Sequence, residues 1–117
     1  MKKKNDIDTD GEMYNPPHPG ESLLTLYIEP LGLTIKEVSE RMGVERKSVS
    51  RLINGHTSIT AEMAVRLGMA FSTSAELWLN KQRGYDLWHA KQRLHDEIIN
   101  IQPFIVSAIS NEKPGVR

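Results

Sequence analysis

The stretch from Ile35 to Asn54, IKEVSERMGVERKSVSRLIN, constrains the fold of this chain more than any other. Val38 and Met42 stand four apart, so they share one face of a helix. Val49, Leu52 and Ile53 do the same in a second segment. Between the two lies Gly43, where the chain must reverse and where glycine takes a left-handed conformation at little cost. Val44 follows and is placed to plug the angle between the helices. The pattern stops at Asn54-Gly55, a good helix C-terminus with the glycine at the left-handed position.

The opposite face of the second segment carries a different chemistry. Arg46, Ser50 and Asn54 are spaced by four, and Lys47 and Arg51 form a parallel row. All five point away from Val49, Leu52 and Ile53. Arginine and lysine pair with phosphates or guanine edges, and asparagine reads adenine. A charged helix face is usually just solvated. Here it stands in register with a glycine turn and two apolar stripes, and that combination predicts a helix-turn-helix that enters a DNA groove. Lys36 and Thr34, at the start of the first of the two helices, are added as candidate DNA contacts, and Thr34 is also a natural N-cap.

Composition narrows the alternatives. A chain of 117 residues, 38% hydrophobic and 26% charged, suits one small domain, and a core of that size gains from a dimer interface. Without cysteine, neither disulfides nor thiolate metal sites are available. The formal net charge is zero, so attraction to DNA must be local. Between Thr34 and His56 five cations (Lys36, Arg41, Arg46, Lys47, Arg51) face three anions (Glu37, Glu40, Glu45). That modest excess implies weak non-specific binding and reliance on dimerisation. No run is long and apolar enough to cross a membrane, and MKKKNDIDTDGEM has the cations of a signal peptide without its apolar stretch. A cytoplasmic location is expected.

The remaining elements are read from caps and stripes. Residues 1–14 are expected to form a flexible tail, 15–102 the helix-turn-helix domain and 103–117 a C-terminal tail. Pro19 suits a first helical position, and that helix is expected to run to Glu29 and end at Pro30, with Leu23, Leu24, Tyr27 and Ile28 as its apolar stripe. Leu31 and Leu33 are expected to anchor the turn after it. Thr60 should cap a further helix with Met63, Leu67, Ala70 and Phe71 inward, and Gly68 within it calls for a close neighbour. Ser74 should cap a long last helix ended by Pro103, with Leu77, Trp78, Tyr85 and Trp88 as a core stripe and Gly84 as a bend or close approach. The stretch from Leu87 to Ile101 carries more apolar surface than the core needs, which suits a protein interface. FIVSAI, Phe104–Ile109, fits a strand or an interface segment equally well.

An enzyme is disfavoured. His18, His56, His89 and His95 are scattered, and His89 and His95, six apart, share no helical face for a metal. His18 is expected to cap or lie at the surface. There is no phosphate-binding glycine loop. No catalytic residue, metal or cofactor is expected.

The chain resembles the HigA family of antitoxins, also called virulence-associated protein I, within the phage-repressor-like regulators. The residues that carry the resemblance are NPPHPGE at Asn15–Glu21, EPLGLT at Glu29–Thr34, ERMGV at Glu40–Val44, RKSVSRLING at Arg46–Gly55 and SITAEMAVRL at Ser58–Leu67. FSTSAELWLNKQ at Phe71–Gln82 and YDLWHA at Tyr85–Ala90 continue it. The resemblance implies an all-α, five-helix domain with an extended C-terminal helix, usually a homodimer. It implies two partners. One is palindromic operator DNA, through Arg46, Lys47, Ser50, Arg51 and Asn54. The other is a HigB-like toxin, a ribosome-dependent mRNA endonuclease related to RelE. Three positions depart from the family pattern. Ile35 stands where a phosphate-binding glutamine is frequent, Glu45 where a small hydroxyl residue is common, and Ser39 where alanine is frequent at the helix crossing. Glu45 favours the helix dipole, repels phosphate and is able to accept from cytosine N4. The other reading of the same residues is a stand-alone transcriptional regulator with no toxin partner.

Overall fold

The computed structural model describes residues 15–104, and all regular structure within them is helical. In chain order the elements are α1 (Pro19–Leu23), a π-helical turn (Leu24–Ile28), α2 (Glu29–Leu31), α3 (Ile35–Met42), α4 (Arg46–Ile53), α5 (Ala61–Phe71), α6 (Ala75–Arg93) and α7 (His95–Ile98). The tail expected at 1–14 and all of FIVSAI beyond Phe104 lie outside the described residues.

The first helix corrects one expectation. It does not stop at Pro30: α1, the π turn and α2 form one rod that passes the proline. A proline ring inside an α-helix clashes with the carbonyl four residues back. Here the preceding turn is wider, with the Glu29 N–H bonded to the Leu24 carbonyl five residues back, and the clash is relieved. The rod ends instead at Gly32, at φ 67°, where the Leu33 N–H bonds to the Ile28 carbonyl at 3.0 Å. Leu33 packs against the core, but Leu31 is 63% exposed and anchors nothing.

The helix starts follow the sequence. The Thr34 hydroxyl accepts from the Glu37 N–H at 3.0 Å while Glu37 Oε1 accepts from the Thr34 N–H at 2.8 Å, a complete capping box. Thr60 accepts from the Met63 N–H at 3.1 Å, and Ser74 from the Leu77 N–H at 3.0 Å. Gly43 lies at φ 72° as the reversal required, and the Val44 N–H closes the turn on the Ser39 carbonyl at 3.0 Å.

One core joins these helices: Leu23, Ile28, Val38, Met42, Val49, Leu52, Ile59, Ala64, Leu67 and Trp78 are buried. Fully burying an aliphatic side chain of this size contributes roughly 1.5–3 kcal/mol. Tyr27 lies 5.4 Å, ring centre to ring centre, from both Phe71 and Trp78, and the Trp78 indole N–H is satisfied by the Thr73 hydroxyl at 2.8 Å. In α5 the inward stripe includes Ala64, while Ala70 is exposed, because the stripe is centred on Ala64, Leu67 and Gly68. Gly68 does face a close neighbour: an added Cβ would lie 3.0 Å from the Thr73 carbonyl oxygen. Gly84 does not. Its helix runs through unbroken, with open space around the glycine.

The long last helix is shorter than expected. It breaks at Leu94, and α7 ends at Ile98, before Pro103. Every residue from Leu94 to Phe104 is exposed, so among the described residues no burial favours extending the helix through this stretch. Leu87, Leu94, Ile98, Ile99 and Ile101 are exposed and form the apolar surplus anticipated there, and Phe104 is exposed beyond them.

Candidate nucleic-acid interface

Helix α4 is held by one face and free on the other. Val49 and Leu52 are buried and Ile53 packs against the core. Arg46, Lys47, Arg51 and Asn54 are exposed, and Ser50 is half-buried at the edge of the helix face. Among the described residues none of Lys36, Arg46, Lys47 and Arg51 is engaged in an ion pair, so their charge is available to a polyanion. Asn54 donates from its side-chain amide to the Ser50 carbonyl at 2.9 Å, which orients the amide and leaves its oxygen and second N–H free.

The α3 residues are placed differently. Lys36 is exposed in the first turn. The Thr34 hydroxyl is committed to the Glu37 backbone and lies 3.3 Å from its carboxylate, so Thr34 offers the start of α3 more than a free hydroxyl. Ile35 packs partly against the core and presents no polar group there. Glu45 is the N-cap residue of α4 and makes no side-chain capping bond, which leaves its carboxylate free beside Arg46.

Three contacts that sequence reasoning missed fix α4 in place. Arg66, from α5, donates Nη1–H to the Met42 carbonyl at 2.8 Å and the Gly43 carbonyl at 3.3 Å, pinning the turn. At the other end α1 meets α4 backbone to backbone: a Cβ on Gly20 would lie 1.7 Å from the Leu52 carbonyl oxygen, a contact only glycine permits. Beyond α4, Gln82 of α6 accepts from the Ile59 N–H at 2.7 Å in the interior. A glycine directly after Pro19, unfavourable in a helix, was the one available signal for the second contact.

His18 is a cap, as expected, and has further partners. Its Nδ1 accepts from the Gly20 N–H at 2.9 Å, and its ring lies edge-on to Tyr85 at 4.9 Å. Burial holds its pKa below the usual histidine value, against the opposing pull of the Thr57 carbonyl, Asp86 and Glu21. Among the described residues no three His, Asp or Glu side chains converge on a point that a metal ion would occupy.

Comparison with known proteins agrees with this geometry. A helix-turn-helix family model matches residues 24–78. Antitoxin HigA-1 of Vibrio cholerae is 42% identical over 88 residues, which are 75% of this chain and 83% of that protein. The transcriptional regulator YbaQ of Escherichia coli strain K12 is 44% identical over 82 residues, 70% of this chain and 73% of that one. Among solved structures, Pseudomonas aeruginosa antitoxin HigA with the higBA promoter superposes with a TM-score of 0.73 at 31% identity, covering 77% of this chain and 99% of that chain. Antitoxin GraA in complex with its operator gives 0.72 at 33% identity, with 77% and 92% covered.

Proposed function

This chain belongs to the HigA family of helix-turn-helix proteins, and from that premise we propose that it is the antitoxin of a toxin-antitoxin pair and a repressor of its own operon. The observation that carries the reading is that its backbone follows, over 77% of the chain, that of a HigA antitoxin with promoter DNA, with the cations of its own α4 exposed and engaged in no ion pair among the described residues. It acts as a homodimer in the cytoplasm. The two-fold places two copies of α4 in successive major grooves, about 34 Å apart. Arg46, Lys47 and Arg51 contact phosphates or guanine edges, and Ser50 and Asn54 bond base edges or phosphates. Lys36 and the N-terminal turn of α3 behind Thr34 approach the backbone. No helix among the described residues is long and apolar enough to cross a membrane. Neutralisation of a HigB-like toxin is stoichiometric binding rather than catalysis, and the protein is not an enzyme.

The similarity to YbaQ, which carries a regulator's name, favours a second reading without a toxin. One experiment separates the two. The chain is co-expressed with the reading frame beside its gene, co-purified, and tested in a gel shift on the DNA upstream of that gene. An antitoxin co-purifies with the neighbour's product and shifts the DNA. A stand-alone regulator shifts the DNA alone. Failure to shift any upstream duplex sinks both.

A further inference from the structure

Glu45 stands at the start of the DNA-reading helix, and its side chain bonds to nothing among the described residues. It is exposed and is the N-cap residue of α4, yet it makes no side-chain capping bond. The Ser48 N–H, which an N-cap side chain commonly takes, bonds to the Glu45 backbone carbonyl instead, at 3.0 Å. The cation that shares its cleft from α5, Arg66, is committed elsewhere: to the Met42 and Gly43 carbonyls at 2.8 and 3.3 Å, and to Glu62 at 3.0 Å. An unneutralised anion at this end of α4 opposes attraction to phosphates. From Thr34 to His56 five cations face three anions, and Glu45 is one of the three. So costly a position for a carboxylate calls for a gain that is made only on the right DNA.

The N-terminal residues of a recognition helix are the ones that reach base edges. A carboxylate only accepts hydrogen bonds. The major groove offers donors at two groups alone, cytosine N4 and adenine N6. Adenine sets the acceptor N7 beside its donor, and a carboxylate has no proton to give it. Cytosine presents the donor by itself. Guanine and thymine present acceptors, which repel a carboxylate. We propose that Glu45 is a specificity-determining residue: it accepts from cytosine N4 and so fixes one C·G pair in each operator half-site. The inference rests on the operator-binding reading above. Arg46, the next residue, is exposed and carries the donors that a guanine edge takes, so two adjacent side chains read opposite patterns. Glu45 thus lowers affinity for any duplex while raising the preference for the right one.

Wild type, Glu45→Ala and Glu45→Gln are titrated by gel shift, at one salt concentration and pH 7.5, onto three kinds of DNA. One is a duplex from upstream of the gene. The second is a panel in which each of its C·G pairs in turn is replaced by the other three pairs. The third is a scrambled duplex of equal length. Melting temperatures are measured in parallel. Wild type should lose at least about tenfold in affinity when one particular C·G pair, or its symmetry mate, is replaced. Glu45→Ala should bind every pair at that position equally, bind the scrambled duplex more tightly than wild type does, and melt close to wild type. Glu45→Gln should move the preference at that position to adenine, since an amide bonds both N6 and N7. A cytosine preference that persists in Glu45→Ala, or a wild type indifferent to every C·G replacement, overturns the assignment. So does a loss of affinity in Glu45→Ala that is equal on all duplexes. A wild type that does not prefer the upstream duplex over the scrambled one overturns the operator reading, and this inference with it.

Discussion

The Ile59 backbone N–H donates to Oε1 of Gln82 at 2.7 Å, and both residues are buried. The segment between α4 and α5 carries a backbone donor into the interior where no helix or sheet ladder receives it. Gln82 is the receiver, and its own Nε2–H is directed by Asp86 at 2.9 Å. Replacing Gln82 with Met keeps the volume and removes the acceptor. An orphaned buried amide costs about 1–3 kcal/mol. In a domain of this size that lowers the melting temperature by at least about 4 °C, readable by calorimetry.

Arg66 makes two kinds of contact that differ in value. Its pair with Glu62, at 3.0 Å, joins two solvent-accessible groups one helical turn apart, and such pairs contribute about 0.3–0.5 kcal/mol. Its bonds to the Met42 and Gly43 carbonyls satisfy the C-terminus of α3 and brace the turn. Glu62→Ala is therefore expected to cost under about 0.5 kcal/mol, and Arg66→Ala about 1–3 kcal/mol. Urea unfolding of both variants checks the order. Equal costs would show that the ion pair, not the turn, is what Arg66 supplies.

These two contacts mark where sequence reading stops. The periodic stripes of α3 and α4, the Thr34, Thr60 and Ser74 caps and the Gly43 reversal are local facts, set by neighbours within one turn. They were legible for that reason. Gln82 to Ile59 and Arg66 to Met42 span more than twenty residues, and nothing in the spacing of a polar side chain names its distant partner. Pro30 misled because the π turn that accommodates it has no cue in composition. The break at Leu94 was missed because amphipathic spacing continues to Ile101, while the structure places no partner against it. The four-residue spacing turns Arg46, Lys47, Ser50, Arg51 and Asn54 away from the apolar stripe of α4; four of them are exposed and Ser50 is half-buried. Thr34 illustrates the limit: its hydroxyl was read both as a cap and as a DNA contact, and the cap commits it.

Ser72 ends α5 at φ 58°, the one non-glycine among the described residues with positive φ, and the Thr73 N–H closes the turn on the Gly68 carbonyl at 2.9 Å. An L-residue pays about 1–2 kcal/mol in this region, while glycine loses more chain entropy on folding. The difference favours Ser72→Gly by up to about 1 kcal/mol, and its melting temperature should rise. A fall would mean that the serine side chain holds the turn.

The titration of His18 gives the stability a pH dependence of known sign. Its folded pKa lies below 6.5, its ordinary value, so the unfolded chain binds the proton more readily. The stabilisation is complete above about pH 6.5 and is lost as pH falls from there through the folded value. Protonated Nδ1 no longer accepts from the Gly20 N–H, and α1 loses its cap. Wild type should therefore lose stability between pH 6.5 and 5 more steeply than His18→Asn, which caps without titrating. Parallel pH profiles of the two melting temperatures would remove His18 as the cause.

Arg51 gives the most direct test of the DNA face. It is exposed on the last turn of α4, makes no ion pair among the described residues, and only its backbone serves the fold, its carbonyl accepting from the His56 N–H at 2.8 Å. Alanine keeps that bond and is the better helix former. Arg51→Ala should thus leave the melting temperature within about 2 °C of wild type. A guanidinium on a guanine edge accounts for about 1–3 kcal/mol of discrimination, and one on a phosphate for about one counterion in the salt dependence. The two roles separate in gel shifts on the upstream and scrambled duplexes at several salt concentrations. A base contact lowers upstream affinity about tenfold and leaves scrambled binding nearly unchanged. A phosphate contact weakens both and flattens the salt slope by about one. Wild-type affinity and slope on both duplexes would take Arg51 out of the interface and shift it toward Arg46 and Lys47, at the N-terminal end of α4.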